Sequence, residues 1–329
     1  MKTFALAAIC GLSAALMTTD DYEFMNYIAK HGKVYETVEE YGFRMNEWRK
    51  ADRHMKLHNN SNATWTLGHN HLSDWTHEER KSLNGYRTQL RTWDREYNPV
   101  WLEPSNSDGV NWVERGAVTD PKNQGSCGSC WAFSTVAALE GAHWLATGDL
   151  VSYSEQEFVS CDFGLTKNLG CNGGLMDKAF EWAKTTAIPT EADYPYTAGT
   201  GTRGSCDKTK AEGASLLVST YTDVPVNDAD QLKAALDKQP VSVAIEADKL
   251  AFQMYTSGVL TGTSCGTTLD HGVTAVGYGT EDGTEYFLVK NSWGASWGDA
   301  GYVKIGVESE DAAGVCGILS GPPSYPETN

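Results

Sequence analysis

The spacing of hydrophobic and polar positions changes near residue 215. Before that point, the charged stretch 38–59, which has no proline, predicts one helix, and apolar residues at intervals of three and four predict a second over 129–147. A shorter helix is expected over 175–184. In the second helix, Phe133, Val136 and Ala137 would share one face, and Gly148 would end it. After that point, short β-prone runs between Gly, Asp and Asn turns predict strands over 216–221, 241–245, 272–278, 286–291 and 301–307.

Helices that precede strands, instead of alternating with them, indicate an α+β fold of two lobes. We place a helical lobe at about 115–215 and a β lobe at about 216–322. The groove between two such lobes is the natural place for a site.

The first third of the chain differs from the rest. Residues 1–17 combine one Lys with a short apolar run and small residues, which predicts a cleavable secretory signal that is too short to span a bilayer. The segment 18–105 has no cysteine and six of the eight histidines, so we expect acid to weaken its packing. Turn-forming residues at 103–109 predict a cleavable linker before the second unit, 106–329.

The formal net charge of -17 narrows the choice of partners. Such a charge repels nucleic acids and anionic membrane surfaces, so we expect neither as a partner. No later apolar stretch has the length of a membrane span. No heptad run or long apolar patch requires a second subunit, and a monomer is expected.

The cysteine count predicts one free thiol in an oxidising compartment. Removal of Cys10 with the signal leaves seven cysteines, and with 15 ways to connect six of them, 7 × 15 gives 105 arrangements. Counting alone does not identify the free cysteine. The sequons at Asn59 and Asn62 are glycosylation acceptors in a secreted chain, although such triplets also occur by chance.

The sequence Cys127-Gly-Ser-Cys130 allows three interpretations: half of a zinc site, a redox pair, or a disulfide cysteine beside a reactive one. A zinc site would need two more ligands at short spacing, and Cys161 and Cys171 do not provide them, so we expect no metal. A redox pair would follow a strand in a βαβ unit, and no such pattern surrounds this one. The third interpretation has a physical basis.

Cys130 begins a predicted helix, where free backbone N–H groups and the helix dipole stabilise a thiolate. A cysteine nucleophile also needs an imidazole to take and return a proton. Only His143 and His271 follow residue 105, and His143 lies along the same helix, about 20 Å away at about 1.5 Å per residue. We therefore predict His271 as the partner.

Two further side chains could complete this chemistry. Asn291 could fix the imidazole by accepting a hydrogen bond from its other ring nitrogen, with Trp293 and Trp297 as a shield from water. The alternative is that Asn291 is a turn residue and has no such role. Gln124 could donate to an oxyanion, although a glutamine in a loop ordinarily does nothing of the kind.

These residues carry a resemblance to a known family. The segment Gln124-Gly-Ser-Cys-Gly-Ser-Cys130-Trp-Ala-Phe-Ser134 resembles the active-site segment of papain-like cysteine peptidases, and Asn291-Ser-Trp-Gly294 resembles their asparagine motif. Cys171-Asn-Gly-Gly174 is similar to their substrate-strand motif. The ending Ser324-Tyr-Pro326 resembles that of the cathepsin L-like subgroup.

The segment before residue 105 resembles the inhibitory prodomain of the same family. The matching positions are Glu40, Arg44, Trp48 and Asn59, followed by Gly68-x-Asn70-x-Leu72-x-Asp74. Ala51, Met55 and Leu72 depart from the pattern, which has Asn, Ile and an aromatic residue at these positions. The resemblance implies a mainly helical prodomain before a papain-like fold with a helical left lobe and a β-barrel-like right lobe.

The resemblance also implies a function. The chain would be a cysteine endopeptidase zymogen that acts on proteins and peptides, without a cofactor, and is inhibited by its own propeptide. It would work in a lysosome or food-vacuole type compartment, or outside the cell. Cys130 would attack, His271 would transfer the proton, Asn291 would orient the imidazole, and Gln124 with the Cys130 amide would form the oxyanion hole.

The remaining site residues are implied in the same way. A hydrophobic side chain would be preferred at P2, the second residue before the scissile bond. Its pocket would be apolar or small: Leu175, Met176, Ala244, Leu269 and Gly321. Other substrate contacts would come from Gly173, Gly174, Asp270 and Trp293. The disulfides would join Cys127 to Cys171, Cys161 to Cys206 and Cys265 to Cys316, which leaves Cys130 free.

Overall fold

The computed structural model describes residues 17–91, 97–164 and 167–329. The predicted signal segment, 1–17, lies outside the described residues except for its last position. Three parts follow one another along the chain: a mainly helical first unit, a helical lobe and a β lobe. Within the described ranges, no helix has both the length and the apolar character needed to cross a membrane.

The first unit is built on two helices. Its elements are α1 (Thr19–His31), α2 (Val38–Asn59), β1 (Trp65–Leu67) and α3 (His77–Lys81). The sequence predicts α2 with its observed ends and misses α1, which begins with reciprocal hydrogen bonds between Thr18 and Asp21. The two helices pack through aromatic rings around Phe24 and Trp48, both fully buried.

The helical lobe contains α4 (Cys130–Thr147), α5 (Glu155–Cys161) and α6 (Met176–Ala183). The prediction of one buried face for α4 is wrong, because every side chain from position 130 to 142 is buried. α4 contacts α5 and α6 in its own lobe and strands of the β lobe across the groove. A helix enclosed in this way is apolar on all faces and has little periodicity to detect.

The β lobe is one sheet with two short helices. Its strands are β2 (Val110–Asn111), β3 (Val218–Asp223), β4 (Val241–Ile245), β5 (Tyr255–Leu260), β6 (His271–Glu281), β7 (Thr284–Lys290), β8 (Tyr302–Gly306) and β9 (Ser324–Thr328), and its helices are α7 (Ala229–Leu236) and α8 (Leu250–Gln253). The sheet order is β1-β5-β8-β7-β6-β4-β9-β3, with β2 against β6. β5 and β8 are parallel, and the other pairs are antiparallel.

The register between β6 and β7 brings two distant residues together. Thr274 lies opposite Lys290, so the end of β7 is beside the start of β6. Asn291, which follows β7, therefore lies next to His271, the first residue of β6.

The first unit adds a strand to the sheet of the β lobe. β1 pairs antiparallel with β5, with Trp65 opposite Gly258. Gly258 has a φ of +83°, and a Cβ there would lie 2.3 Å from the Thr64 carbonyl oxygen, so only glycine permits this approach. The first unit thus covers the edge strand β5, which would otherwise expose unpaired backbone groups.

Three disulfides tie the lobes internally. Cys127 is bonded to Cys171 and Cys161 to Cys206 in the helical lobe, and Cys265 is bonded to Cys316 in the β lobe. These are the pairs that the resemblance implies. Cys130 is the free cysteine of the described part, and it is buried.

Candidate active site

The Cys130 sulfur lies where the two lobes and the first unit meet. Cys130 is the first residue of α4, so its backbone N–H has no acceptor within the helix. Its sulfur accepts hydrogen bonds from the backbone N–H of Gly272 at 3.3 Å and of Gly85 at 3.2 Å. The first donor belongs to the β lobe and the second to the first unit.

His271 precedes the glycine that contacts this sulfur. Its Nε2 lies 2.8 Å from Asn291 Oδ1, and because an amide oxygen only accepts, Nε2 carries the proton of this bond. Nδ1 is buried and has no hydrogen-bond partner among the described residues. Trp293 packs on the imidazole with ring centres 4.9 Å apart and is 1% exposed, so water is kept from the bond.

Gln124 presents one side-chain N–H to the groove. Its Nε2 donates to the carbonyl oxygens of Cys127 and Leu83, both at 2.7 Å, and its Oε1 accepts from the Ser292 hydroxyl at 2.6 Å. The bonds to Cys127 and Ser292 fix the amide plane. The bond to Leu83 joins this amide to the first unit.

Burial dominates the electrostatics of the site. It raises the pKa of the Cys130 thiol to about 11, although the two N–H donors and Arg87 act in the other direction. It lowers the pKa of His271 to about 4, against the effect of the bond to Asn291. Both shifts disfavour charge, so with the first unit in place the pair is a neutral thiol and a neutral imidazole.

The segment 83–87, named here the cleft segment, fills the groove. The Gly174 N–H donates to the Gly85 carbonyl at 2.8 Å, and the Arg87 N–H donates to the Gly174 carbonyl at 3.2 Å. The Tyr86 N–H donates to the Asp270 carbonyl at 2.8 Å. A Cβ on Gly85 would lie 1.9 Å from the Gly128 carbonyl oxygen, so the segment passes the site with no room for a side chain there.

Tyr86 enters the predicted P2 pocket. It is 3% exposed and packs in one cluster with Leu175, Met176 and Ala244, with Leu269 partly buried against it. At the base of the pocket, a Cβ on Gly321 would lie 3.3 Å from the Tyr86 hydroxyl oxygen.

Polar contacts hold the cleft segment, and Arg91 after it, against the helical lobe and the β lobe. The Asn84 amide donates to an Asp270 carboxylate oxygen at 2.8 Å. The Arg91 guanidinium donates to the Tyr86 hydroxyl at 3.0 Å and to Asp177 at 3.2 Å. Gly173 also belongs to the contact surface, because a Cβ there would lie 2.6 Å from the Gly85 carbonyl oxygen.

Sequence reasoning missed three residues of this neighbourhood. Ser292 lies within the quoted Asn-Ser-Trp-Gly motif but receives no role there, and the structure places its hydroxyl on Gln124. Tyr86 and Asn84 belong to the first unit, where no local motif marks them. Within the ranges that the structure describes, no cluster of three or more His, Cys, Asp or Glu residues could hold a metal ion.

Two family descriptions match the chain. "Papain family cysteine protease" matches residues 106–325, and "Cathepsin propeptide inhibitor domain (I29)" matches residues 24–80. The second match covers α2 and ends within α3.

Curated relatives from Arabidopsis thaliana are similar over most of this chain. "Probable cysteine protease RD21B" is 49% identical over 279 residues, 83% of this chain and 58% of its own length. "Cysteine protease XCP2" is 44% identical over 304 residues, 90% of this chain and 83% of its own length. The chain therefore spans little more than half of the first relative and most of the second.

Solved structures of proforms have the same fold. The proform of the ragweed pollen allergen Amb a 11 cysteine protease has a TM-score of 0.82 at 34% identity, with 94% of each chain covered. The recombinant stem bromelain precursor has a TM-score of 0.83 at 32% identity, with 94% of this chain and 98% of that chain covered.

Proposed function

Because the chain belongs to the papain family of cysteine proteases and carries a cathepsin propeptide inhibitor domain, we propose that it is an endopeptidase zymogen in which Cys130 is the nucleophile. His271 is its acid and base, Asn291 orients the imidazole, and Gln124 with the Cys130 backbone N–H binds the oxyanion. The observation that supports this most strongly is the free Cys130 sulfur at the start of α4, hydrogen-bonded by Gly272, next to an imidazole held by Asn291.

The roles follow from the positions of the atoms. Nε2 of His271 is occupied by Asn291, so Nδ1 is the nitrogen free to take the thiol proton. The thiolate attacks the substrate carbonyl carbon, and the negative oxygen receives hydrogen bonds from Gln124 Nε2 and the Cys130 N–H.

The protonated imidazole then donates its proton to the leaving amine as the C–N bond breaks, which leaves a thioester on Cys130. Water, deprotonated by the neutral imidazole, attacks the thioester. The C–S bond then breaks, the carboxylic acid product leaves, and the imidazolium returns its proton to the sulfur, which regenerates the thiol form of Cys130.

The first unit acts as an intramolecular inhibitor by occupying the groove without presenting a scissile bond. The atom that the cleft segment directs at Cys130 is the Gly85 N–H, a donor, where a substrate would present a carbonyl carbon. Leu83 fills the oxyanion position with a neutral carbonyl. Removal of the segment would admit water, relieve the burial of both groups and allow the reactive ion pair.

The occupied pocket supports a hydrophobic or aromatic P2 residue. Tyr86 already shows the size of side chain that fits among Leu175, Met176, Ala244 and Leu269. Gly174 and Asp270 would bind the substrate backbone through the main-chain groups that bind the cleft segment, Gly173 would leave room for it, and Trp293 would shield the imidazole.

We propose the divisions of the chain as signal 1–17, propeptide 18–105 and mature peptidase 106–329. Residues 103–109 are mostly exposed, as a linker open to cleavage requires. The mature enzyme would act as a monomer on proteins and peptides, in a lysosome or food-vacuole type compartment or outside the cell.

Hydrolysis after acid processing tests this proposal. The full chain and its Cys130→Ala variant are purified, the variant is processed by tagged wild type that is then removed, and both are assayed on a dipeptidyl fluorogenic amide with Phe at P2. We expect activity in the wild type and loss of at least 10³-fold in the variant, since the thioester cannot form. Equal activity in the processed variant would remove Cys130 as the nucleophile.

A further inference from the structure

The backbone carbonyl of Gln124 is bonded by Tyr196, a residue to which the proposed mechanism gives no role. The N–H of Gln124 donates to the Ser292 carbonyl at 2.9 Å. Its main-chain carbonyl accepts a hydrogen bond from the Tyr196 hydroxyl at 2.8 Å. Together with the three side-chain bonds, this leaves every polar group of Gln124 occupied.

The Tyr196 hydroxyl connects the two ends of the loop that forms the oxyanion hole. It lies 2.8 Å from the Ser129 hydroxyl, one residue before Cys130. The Gln124 carbonyl has no proton to give, so Tyr196 donates its single proton there, and the Ser129 hydroxyl must donate to Tyr196. Burial raises the pKa of Tyr196, so the phenol keeps its proton throughout the working range.

This arrangement also determines what Ser129 does not do. Ser129 is the residue before α4, a position at which serine commonly accepts a hydrogen bond from the first backbone N–H groups of the helix. Its side chain makes no such bond here. The hydroxyl instead contacts Tyr196 at 2.8 Å, with a longer contact to the Cys127 carbonyl at 3.5 Å.

Tyr196 is itself held in place. Its ring meets Phe133 edge to face with centres 4.9 Å apart, and its backbone N–H donates to Glu191 Oε1 at 2.8 Å. Phe133 lies on α4 and Ser129 directly precedes it, so the ring and the hydroxyl of Tyr196 both contact the helix that carries the nucleophile.

We propose that Tyr196 is a positioning residue for the oxyanion hole: it fixes the Gln124 carbonyl and the Ser129 hydroxyl, and through them the spacing of the two oxyanion donors. The inference rests on the proposed function. Its effect falls on the tetrahedral intermediate, because the donors must meet an oxygen that bears charge only there.

The variant Tyr196→Phe removes the hydroxyl and keeps the ring on Phe133. Tyr194→Phe is a matched control, since Tyr194 is a buried tyrosine two residues away whose hydroxyl donates to the Ser205 carbonyl at 3.2 Å, outside the oxyanion loop. Ser129→Ala removes one of the two hydroxyl contacts and leaves the bond to Gln124.

Three measurements on acid-processed enzyme, counted by active-site titration, separate positioning from general damage. They are kcat and KM for the fluorogenic amide, the inhibition constant of a peptide aldehyde, and the rate of alkylation by iodoacetamide against pH. The aldehyde adduct places its oxygen in the oxyanion hole, whereas alkylation uses the thiolate and imidazole alone.

For Tyr196→Phe we expect kcat to fall by about tenfold with KM nearly unchanged, and aldehyde affinity to weaken by a similar factor, a fraction of the loss on deleting an oxyanion donor. The alkylation rate and its pH profile should stay as in wild type, Tyr194→Phe should behave as wild type, and Ser129→Ala should show a smaller loss.

Unchanged kcat and aldehyde affinity in Tyr196→Phe would overturn the inference. So would a fall in alkylation rate per titrated site that matches the fall in kcat, since that result describes a disturbed Cys130 and His271 pair. An inactive wild type would instead overturn the proposed function on which the inference rests.

Discussion

At the scale of single residues, the charge state of Cys130 and His271 accounts for the latency that we propose. The sulfur accepts two backbone hydrogen bonds, which favour a thiolate, yet burial under the cleft segment outweighs them and raises the pKa of Cys130. The same burial lowers the pKa of His271. A neutral pair is a poor nucleophile, so the propeptide would suppress the chemistry as well as block the groove.

Gly321 is expected to set the depth of the P2 pocket. In Gly321→Val, a Cβ would lie 2.8 Å from Leu269 and 3.3 Å from both Ala244 and the position of the Tyr86 hydroxyl. We predict that kcat/KM for Phe at P2 falls by about tenfold or more, because a pocket that loses the volume of a methyl group or two discriminates on that scale. A set of fluorogenic amides that differ only at P2 measures this.

The substrate with Val at P2 is the control for that variant, because the smaller side chain does not reach Gly321. Its kcat/KM should change by less than about threefold, well below the loss expected for one methylene. An equal loss for Phe and Val would show that Gly321 does not line the pocket.

The two sequons are expected to differ in use. The Asn59 amide donates to the Leu67 carbonyl at 2.7 Å and accepts from the Leu67 N–H at 2.9 Å, so a glycan on its nitrogen would break this pair. Asn62 is exposed. In a secreting host we predict a glycan on Asn62 and none on Asn59, as determined by peptide mass mapping.

Asn62→Gln provides the control for the sequons, and it should abolish the glycan without new modification at Asn59. A glycan found on Asn59 in folded, secreted chain would contradict the role of its amide in holding β1 to the end of α2.

At the scale of elements, we expect the cleft segment to carry much of the inhibition. Tyr86 places a large buried side chain in the proposed P2 pocket, and Arg91 donates to its hydroxyl. Tyr86→Ala leaves a cavity and costs about 3–5 kcal/mol of packing, as for other buried aromatic residues. We predict that acid processing of the proenzyme becomes at least tenfold faster, measured by the appearance of mature chain on a gel.

Tyr22→Ala is the matched control, since Tyr22 lies on α1 and is 60% exposed. Its processing rate should equal that of wild type. If Tyr86→Ala also processes at the wild-type rate, the first unit inhibits through its other contacts and the P2 pocket contributes little.

Sequence patterns predicted part of the secondary structure and missed several elements whose places depend on their partners. α2 and β4 were predicted with their observed ends, because α2 is a long charged stretch without proline and β4 is a short run of β-prone residues. β5 and β9 were missed, because a glycine and a proline interrupt them and their places depend on neighbouring strands. α4 was predicted as amphipathic, because the sequence alone does not show that both lobes pack around it.

The candidate site was predicted in a similarly uneven way. Local motifs marked Cys130 and Asn291, and elimination marked His271. Gln124 was predicted as a site residue, but the five hydrogen bonds that hold it could be found only from the structure. Tyr196 and the cleft segment could not be found, because their contacts join residues that lie far apart in sequence and carry no motif.

At the scale of the whole molecule, acid should act in opposite directions on the two parts. In the first unit, burial lowers the pKa of His71 to about 4, with Lys33 and His31 acting in the same direction and Asp74 against it. Burial also lowers the pKa of His69. An unfolded histidine titrates near 6.5, so between about 6.5 and 4 the unfolded unit binds more protons, and its stability falls as pH falls.

The helical lobe contains buried carboxyl groups with the opposite shift. Burial raises the pKa of Glu157 to about 7 and of Asp162 to about 6. The folded lobe therefore binds more protons than the unfolded chain between about 4 and 7, and the contribution of these groups to stability increases as pH falls through that window.

We predict two separable transitions in the Cys130→Ala proenzyme, which cannot process itself. On going from pH 7 to pH 4.5, the melting temperature of the propeptide should fall and that of the mature part should hold or rise. Calorimetry with hydrogen exchange to assign each transition measures this.

His69→Gln with His71→Gln should flatten the pH dependence of the propeptide transition, and His77→Gln at an exposed position is the control. A double variant whose transition keeps the wild-type slope between pH 6.5 and 4.5 would contradict the role of these histidines.

The most direct test of the central claim is to locate the reactive thiol by alkylation. The proenzyme and the acid-processed enzyme are treated with iodoacetamide at the same pH, and the labelled residue is identified by peptide mass mapping while peptidase activity is followed. We predict one label per mature chain, on Cys130, with activity lost in proportion, and almost no label on the proenzyme over the same time. A label on another residue, or full activity with Cys130 fully labelled, would contradict the account.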